Sequence, residues 1–425
     1  MKLRLPERFD LVVGDTLELF YKGMVDAVES DVYDFEFTYS ENENLGKSYA
    51  RKYVYTPKES EVGEHTLSIT VRGADGAAVD TATVCMAVHP LPKSPSEERV
   101  VLCIGDSLTS DGIWVEEFHR RLTGEGGTPE GYGLSNLTFI GSKKTENGVS
   151  YEGYGGWTFT SYICANARND FRYIYGEFSD KTEAEDQHSL YRDEAGKTWK
   201  LEAITAERIK LIAVPADGGV SFPASGTLTW VSGGLHHGDI VYEREEPAES
   251  NPFWDGKKGQ NDFAAYVRRH RVDKIDEVIL LLGWNSTGAS EEAYKANART
   301  LIDGLLSEFP DCHITLMGIQ VPSRDGFGEN YGIAWKYHEK LQFVFSLQQW
   351  YIDLTHEEAY EGKLDYVNLS AQFDTVNNMP SRHFPVNLRN SDVTEQRGTN
   401  GVHPALGGYH QIADAITRYF VGRLG

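Results

Sequence analysis

From residue 99 onward, short and nearly uninterrupted apolar runs alternate with longer amphipathic stretches. The strand candidates are 99–105, 137–142, 277–283 and 313–319. The helix candidates, which carry apolar residues at helical spacing, are 112–122, 291–309 and 407–420. Strands that are apolar on both faces and alternate with helices are typical of a parallel sheet covered by helices on both sides. The pattern therefore predicts an α/β domain over residues 99–425.

This alternation is interrupted between about residues 170 and 250. Four short segments there have the pattern of antiparallel strands and are separated by Asp- and Gly-rich turns. They are 197–204, 207–214, 226–233 and 239–244. We interpret this region as a β-rich insertion into the α/β domain, because a structureless loop of that length is uncommon.

Residues 1–92 follow a third pattern, with short alternating segments rich in β-branched and aromatic residues. The segments are 16–25, 33–40, 48–57, 64–73 and 79–90. Gly, Asp and Pro separate them, which predicts an N-terminal antiparallel β-sandwich of immunoglobulin-like type. Residues 93–98, in the Pro- and Ser-rich stretch HPLPKSPSEE, predict a linker to the α/β domain.

Composition narrows the classes of partner. Hydrophobic residues make up 40% of the 425 residues and charged residues 25%, which is typical of a folded globular protein. The net charge of −23 disfavours nucleic acid and anionic membranes as partners. No apolar run approaches the roughly 20 residues of a membrane span. The start, MKLRLPERFDLVV, has no apolar segment typical of a signal peptide. A cytoplasmic location and export with a removed signal both stay open.

Nothing in the sequence predicts a metal site or an organic cofactor. The four cysteines are scattered, without the spacing of metal ligands. His236 and His237 are adjacent and lie beside Asp239. Adjacent residues on a strand point to opposite faces, so we do not expect these two histidines to bind one metal ion.

Four separated stretches combine a predicted strand end or helix start with glycine and polar residues. They are GDSL at 105–108, YEGYGGWTFTSY at 151–162, LLLGWNSTG at 280–288 and TNGVHPALGGYHQIADAI at 399–416. Each alone also fits an ordinary turn or the start of a helix. Open α/β sheets bind ligands at the carboxyl ends of their strands, so the combination favours a functional site.

In this order, the four stretches resemble the SGNH (or GDSL) hydrolases, a family of flavodoxin-like serine esterases. The resemblance covers roughly residues 99–170 and 250–425. The segments EGYGGWT at 152–158 and NPFW at 251–254 are similar to the branch that contains carbohydrate acetylesterases. The resemblance implies a flavodoxin-like, three-layer α/β/α hydrolase domain.

The resemblance also implies a role for each motif residue. Ser107 would attack an ester carbonyl and His403 would take its proton, because a hydroxyl is a poor nucleophile without a base. The backbone N–H groups of Ser107 and Gly156 and the side-chain amide of Asn285 would form the oxyanion hole. Glycine allows a close approach of the backbone, and an amide donates hydrogen bonds without carrying charge.

One position departs from the family pattern. The acid that normally lies three residues before the histidine is replaced by Asn400. An amide oxygen can accept a hydrogen bond from the imidazole but offers no charge. The alternatives are a Ser–His pair oriented by a backbone carbonyl, or a substitute acid such as Asp392 or Glu395.

Further candidates have a structural and a functional interpretation. Asp106 either braces the turn before the serine or contributes to substrate binding. Trp157, Trp254 and Trp284 flank the site motifs. They either stack on a sugar ring or pack in the core, and the sequence does not decide between these.

We therefore expect a serine esterase that removes short acyl groups, acetyl above all, from a carbohydrate. Two alternatives stay open. One is a lipase-like or acyl-thioester hydrolase on the same fold. The other is a protein that binds glycans but has lost its activity, for which Asn400 is the argument. The sequence does not define the sugar, the position of the acyl group, the oligomeric state or the role of the β-sandwich.

Overall fold

A computed structural model gives the fold of most of the chain. The described residues are 2–40, 45–164, 171–175, 189–204, 209–214, 226–233, 238–242, 244–246, 251–332 and 336–424. The chain divides into two compact units, Met1–Thr158 with Val267–Gly425 and Phe159–Tyr266. Among the described residues, no helix combines the length and the apolar character needed to cross a membrane.

The regular elements, in chain order, have the following bounds. The strands are β1 (Arg8–Val12), β2 (Leu17–Phe20), β3 (Asp34–Tyr39), β4 (Lys47–Ser48), β5 (Lys52–Tyr55), β6 (Gly63–Arg72), β7 (Ala78–His89), β8 (Arg99–Gly105), β9 (Glu125–Gly126), β10 (Gly131–Tyr132), β11 (Leu137–Ile140), β12 (Lys143–Lys144), β13 (Ser150–Gly153), β14 (Phe171–Tyr175), β15 (Leu190–Arg192), β16 (Thr198–Ile204), β17 (Ile209–Val214), β18 (Gly226–Ser232), β19 (Ile240–Tyr242), β20 (Arg244–Glu246), β21 (Trp254–Asp255), β22 (Gln260–Asn261), β23 (Glu277–Leu281), β24 (His313–Met317), β25 (Leu364–Val367), β26 (Ser381–Asn387) and β27 (Asn390–Gly398). The α-helices are α1 (Ile113–Thr123), α2 (Phe159–Ile163), α3 (Phe263–Arg269), α4 (Glu291–Glu308), α5 (Arg324–Tyr331), α6 (Lys336–Thr355) and α7 (Leu406–Leu424).

A sheet that is parallel except for its edge strand β12 forms the centre of the first unit. Its strand order is β12-β13-β8-β23-β24-β25, and β11 also pairs with β8. Strand β8 pairs in parallel with β11 and then β13 on one side, and with β23 on the other. Every residue of β23 and of β24 is buried, as their uninterrupted apolar sequences require. The predicted α/β arrangement is confirmed, with strand ends shifted by a few residues.

The strand order reverses direction between β8 and β23. From β8 the chain passes through α1 to β11 on one side of the sheet. It later returns to β23 on the other side and continues through α4 to β24 and through α6 to β25. Where successive connections turn in opposite directions, a crevice opens at the carboxyl ends of the two strands. The GDSL and LLLGWNSTG stretches therefore meet at the position where open α/β sheets place ligands.

The predicted helices bury the faces that their periodicity indicated. In α1, Trp114, Phe118 and Leu122 are fully buried. The Phe118 ring packs edge-on against Phe139 of β11 at 5.7 Å and against Phe420 of α7 at 5.4 Å. These contacts fix α1, and with it the turn that follows β8, against the sheet and the last helix.

Two small sheets make up the N-terminal region. Their orders are β1-β7-β6-β3 and β2-β5-β4, and buried residues from both form one apolar cluster. The pairings are antiparallel except that β1 runs parallel to β7, which differs from the all-antiparallel expectation. Parallel neighbours need a long connection, and the intervening strands β2–β6 provide it. The immunoglobulin-like type and the domain boundaries stay predictions.

The second unit contains an antiparallel sheet with the order β19-β18-β15-β16-β17-β14-β20. Four of its strands, β16 to β19, correspond to the four segments that the sequence indicated. Its apolar cluster includes Tyr191, Trp199 and Leu211.

A buried arginine joins the N-terminal region to two helices of the α/β region. Arg121 of α1 is 1% exposed and donates to Asp15 at 2.6 Å and to Asp414 of α7 at 2.7 Å. The hydroxyl of Tyr132 also donates to Asp15, at 3.1 Å. The buried Asp15 and the part-buried Asp414 thus share this guanidinium, and Arg418 also acts on Asp414.

Replacing this arginine should be costly. In Arg121→Met, the buried Asp15 loses its ion-pair partner and Asp414 loses one of the two cations that act on it. Removal of one partner from a buried ion pair lowers the free energy of unfolding by about 3–5 kcal/mol. The exposed Arg72–Glu36 pair, at 2.6 Å, is the control, and Arg72→Met should cost about 1 kcal/mol or less. Urea denaturation followed by tryptophan fluorescence measures both. Equal stability of the two variants would contradict the expectation.

Candidate active site

Ser107 lies on a tight turn at the carboxyl end of β8. The backbone N–H of Thr109 donates to the carbonyl of Asp106 at 3.0 Å, and Ser110 Oγ donates to the carbonyl of Ser107 at 3.1 Å. At Gly105, a Cβ would come 2.0 Å from Thr109 Oγ1, so only glycine fits beneath this turn. The turn leaves the Ser107 side chain half-buried rather than enclosed.

Asp106, beside the serine, is fully buried. Its Oδ1 accepts from the backbone N–H of Leu108 at 3.0 Å, which braces the turn. Burial raises the pKa of Asp106 to about 7, against the lowering effects of the Leu108 hydrogen bond and the Lys340 cation. This environment favours the bracing interpretation over direct contact with a substrate.

The second motif lies directly beside this turn. The N–H of Tyr154 donates to the carbonyl of Gly105 at 3.1 Å. At Gly153, a Cβ would come 2.7 Å from the backbone of Thr109, so the two segments touch through their main chains. Gly156 follows with φ +77°, in the left-handed region that favours glycine. Gly156, a half-buried residue, thus lies three residues after the point where this segment touches the serine turn.

Asn285 lies on a one-turn 3₁₀ helix, Trp284–Ser286, which we call the Asn285 turn. Gly283 enters it with φ +126°, and a Cβ there would lie 2.5 Å from Leu347 Cδ2. The Asn285 amide nitrogen donates to Asp106 Oδ2 at 3.3 Å and to the carbonyl of Trp157 at 3.1 Å. One side chain therefore ties together the strand ends that carry the first three motifs.

His403 follows a loop that is held by side chains from neighbouring elements. Asn400 Oδ1 accepts from the N–H groups of Val402 at 2.8 Å and His403 at 2.9 Å. Gln320, fully buried, donates to the carbonyl of Val402 at 2.8 Å. The single side-chain oxygen of Asn400 is therefore occupied by backbone donors, and what remains for the imidazole is an NH₂ group, which cannot accept.

Asp111 is the carboxylate whose charge raises the pKa of His403. Burial lowers the pKa of His403, and Asp111 partly opposes this by favouring the charged ring. The two acids suggested by the sequence, Asp392 and Glu395, lie on the exposed strand β27 and have no influence on the His403 pKa within the described part of the chain. Asp111 comes four residues after Ser107, so the charge comes from the serine turn itself.

The fourth motif also lies near the serine turn. Burial, followed by the carboxylates of Asp111 and Asp106, raises the pKa of Tyr409 on α7. Asp111 also lines one groove, of about 590 Å³, together with Leu406 and His410 of the same helix. No hydrogen bond joins the Ser107 hydroxyl to the His403 ring in this structure, in which both residues are described.

The candidate aromatic residues have different environments. Trp157 is fully buried and stacks on Tyr154 at 4.0 Å, and Trp284 is 5% exposed beneath Lys340. These two environments favour packing over stacking on a sugar. Trp254 belongs to the second unit and is half-buried there.

A metal centre has no support in the described part of the chain. No group of three or more His, Cys, Asp or Glu side chains there is arranged to hold a metal ion. His236 and His237 lie outside the described residues.

Sequence reasoning missed two charged residues of this region, Lys340 and Asp111. Lys340 lies on α6, a helix that was not among the sequence predictions. Only 4% of Lys340 is exposed. A helical period was present, since Tyr337, Leu341 and Val344 are all buried on that helix. A lysine within such an apolar stripe is a signal for a buried charge. The signal for Asp111 was its position within one turn of the serine.

No protein-family model and no curated protein sequence matches the chain. A Clostridium thermocellum family 3 carbohydrate esterase structure is similar at 14% identity, covering 77% of this chain and 98% of that chain, with a TM-score of 0.37. A carbohydrate esterase family 3 structure from Talaromyces cellulolyticus has the same identity and coverage, with a TM-score of 0.35. A carbohydrate esterase family 2 enzyme plus carbohydrate binding domain from Corynascus thermopiles (Myceliophthora fergusii) is 12% identical, covering 98% and 92%, with a TM-score of 0.31. At TM-scores this low, the likenesses carry no argument about this chain.

The electrostatic link between Asp111 and His403 can be measured directly. Because Asp111 favours the charged ring, Asp111→Asn should lower the pKa of His403 further below its ordinary value. The neutral ring would then persist to lower pH than in the wild type. NMR titration of the ring Cε1–H signal, assigned by its loss in His403→Gln, reports this pKa. Asp392→Asn is the control, and an equal shift in that variant would contradict the assignment.

Proposed function

We propose that this protein is a serine esterase of the SGNH type that hydrolyses short acyl esters, acetyl esters above all, on a carbohydrate. One observation carries the proposal. The Asn285 amide donates both to Asp106, next to Ser107, and to the carbonyl of Trp157, next to Gly156. Three motifs that are far apart in the sequence thus converge where the strand order reverses, which is the expected place for an active site.

In the proposed mechanism, Ser107 Oγ attacks the ester carbonyl while the His403 ring accepts its proton. The tetrahedral intermediate then collapses, and His403 returns that proton to the leaving sugar oxygen. Water, deprotonated by the same ring, attacks the acyl-serine and releases the carboxylic acid and free Ser107. The resting structure has no hydrogen bond between Ser107 and His403, so side-chain rotation must bring them together when substrate binds.

The oxyanion that forms during attack needs donors placed in advance. The backbone N–H groups of Ser107 and Gly156 and the Asn285 amide are the proposed donors. In the resting structure, both amide hydrogens of Asn285 are directed at protein oxygens. The oxyanion would replace one of these acceptors, and the contact with Asp106, at 3.3 Å, is the longer of the two.

Packing beside Gly156 supports a small acyl group. Tyr154 and Trp157, on either side of Gly155 and Gly156, are buried and stack on each other. A long acyl chain needs an apolar cleft, and the Gly-, Tyr- and Trp-rich motifs suit a short chain better. The carbohydrate half of the proposal rests on the resemblance of residues 152–158 and 251–254 to carbohydrate acetylesterases.

Removing the nucleophile or the base should abolish activity. Ser107→Ala and His403→Ala should each lower kcat/KM for p-nitrophenyl acetate by about 10⁴-fold or more. The matched controls are Ser68→Ala, at a half-buried position of β6, and His356→Ala, at an exposed position directly after α6, and both should act like the wild type. Initial rates on acetate, butyrate and octanoate esters measure the effect and the acyl preference.

The outcomes of this panel separate the alternatives. Loss of acetate hydrolysis in both site variants supports the proposal, and a preference for octanoate would instead identify a lipase-like hydrolase. If the wild type is no faster than Ser107→Ala on every ester, the proposed activity is wrong and glycan binding becomes the function to test.

Restoring the family's acid should increase the rate. In Asn400→Asp, one carboxylate oxygen can keep the bonds to the backbone N–H groups of Val402 and His403, while the other accepts from the imidazole. A charge-assisted hydrogen bond of this kind is worth about 1.5–3 kcal/mol, or roughly 10- to 100-fold in kcat/KM. Asn390→Asp, the same change on the exposed strand β27, is the control.

The result also tests for a lapsed site. If only Asn400→Asp hydrolyses esters, the natural protein is a lapsed esterase. If the rate is unchanged, a group other than residue 400 already orients His403.

A further inference from the structure

A buried lysine lies against the Asn285 turn. Lys340 Nζ donates to the carbonyl of Trp284 at 2.5 Å and to Thr287 Oγ1 at 2.6 Å. It also lies over the Trp284 ring, at 4.2 Å from the centroid, and over Phe343 at 4.8 Å. A lysine is rarely buried to this degree unless its charge is compensated.

The opposite end of the same turn faces a buried carboxylate. The Trp284 backbone N–H lowers the pKa of Asp106, and the Trp284 carbonyl accepts a hydrogen bond from Lys340. The turn therefore lies between the Asp106 carboxyl group and the Lys340 amine. Asn285, the next residue, completes the arrangement with its amide bond to Asp106.

We propose that the buried charges of Lys340 and Asp106 clamp the Asn285 turn between them, and that Lys340 is thereby a positioning residue for the ester hydrolysis proposed above. The inference rests on that proposed function. Lys340 does not contact the reacting atoms. It acts through the Trp284 carbonyl and through Asp106, whose negative charge holds the Asn285 amide. Each charge offsets part of the desolvation cost of the other.

The other titratable groups near Asp106 are tyrosines. Tyr294 of α4, Tyr351 of α6 and Tyr409 of α7 all sense the Asp106 charge, and burial raises the pKa of each above its ordinary value. They are therefore neutral at assay pH. Among the described groups that act on Asp106, Lys340 is the cation that lowers its pKa. Burial lowers the pKa of Lys340 itself to about 7, and the Asp106 carboxylate opposes that shift.

The test is a double-mutant cycle between Lys340 and Asn285. Loss of one oxyanion donor costs about 10²–10³ in kcat, so Asn285→Ala should fall by that factor. Lys340→Met should lower kcat by at least about tenfold with KM within about twofold. In Lys340→Met/Asn285→Ala, kcat should equal that of Asn285→Ala, because Lys340 acts through the amide. If the kcat losses of the two single variants multiply in the double variant, the proposal is overturned.

A pH profile separates positioning from simple structural support. The Lys340 cation lowers the pKa of Asp106, so Asp106 should hold its proton to higher pH in Lys340→Met. A protonated Asp106 is a weaker acceptor for Asn285, and a pKa of about 7 leaves Asp106 protonated at pH 6 in the wild type as well. The loss of kcat should therefore be greater at pH 8 than at pH 6. A loss that is the same at both pH values would contradict the clamp.

Control variants keep the result interpretable. Lys295 of α4 is paired with Glu291 and Asp353 away from the site, and Lys295→Met should keep the wild-type kcat. If Lys340→Met does not fold, Asp106→Asn/Lys340→Met removes both charges and avoids an unpaired buried carboxylate. The kcat of this double variant should be at least about tenfold below that of the wild type. It should also lack the pH dependence that titration of Asp106 causes in Lys340→Met. A wild-type kcat in this double variant would overturn the clamp.

The proposed function can fail separately. In that case the wild type shows no activity above Ser107→Ala. The clamp is then judged by stability alone. The double variant Asp106→Asn/Lys340→Met should be more stable to urea than Lys340→Met, and equal stability would overturn the clamp as well.

Discussion

Strand β8 is the constraint on which the rest of the α/β region depends. It receives hydrogen bonds from β11 and β13 along one edge and from β23 along the other. The chain departs from it in both directions, so the crevice at its carboxyl end is a consequence of topology and not of any one residue. Gly105 then determines what can fit there, because the next segments of chain pass within contact distance of its Cα. The site motifs converge because they all end or follow strands and loops at this single edge.

Buried acidic side chains at this edge accept hydrogen bonds from the segments around them, in a chain whose net charge is −23. Glu152 illustrates the rule outside the proposed clamp. It is fully buried, accepts from the Ser142 N–H at 2.7 Å and from the Tyr154 hydroxyl at 2.6 Å, and so fixes the segment that leads to Gly156. A buried carboxylate with donors on both oxygens rigidifies its neighbours at little net cost, whereas an unsatisfied one would be strongly destabilising. Both oxygens of the Glu152 carboxylate are thus satisfied in the segment beside the serine turn.

Much of this architecture was predictable because it follows from local patterns. Uninterrupted apolar runs identified β8, β23 and β24, and helical periodicity identified α1, α4 and α7. Contacts between elements were not predictable in this way. No local pattern indicated that β1 would pair in parallel with β7, since that neighbour is set by the return of a long connection. Motif resemblance brought Ser107, Gly156 and Asn285 to one region, but it gave no information on α6, and so the cation beneath the Asn285 turn was missed.

The environment of His403 explains why residue 400 cannot be judged from its identity alone. In a serine hydrolase, the acid partner has two tasks: it orients the ring and it favours the charged form during the reaction. Here the first task is shared by the scaffold, since Gln320 and the Asn400 oxygen fix the backbone that carries the ring. The second task needs a negative charge, which an amide lacks and which Asp111 contributes from the serine turn. Because burial opposes the charged ring and Asp111 favours it, the basicity of His403 is set by the balance between these two effects. An asparagine at position 400 is therefore compatible with a working base to the extent that Asp111 replaces the missing charge.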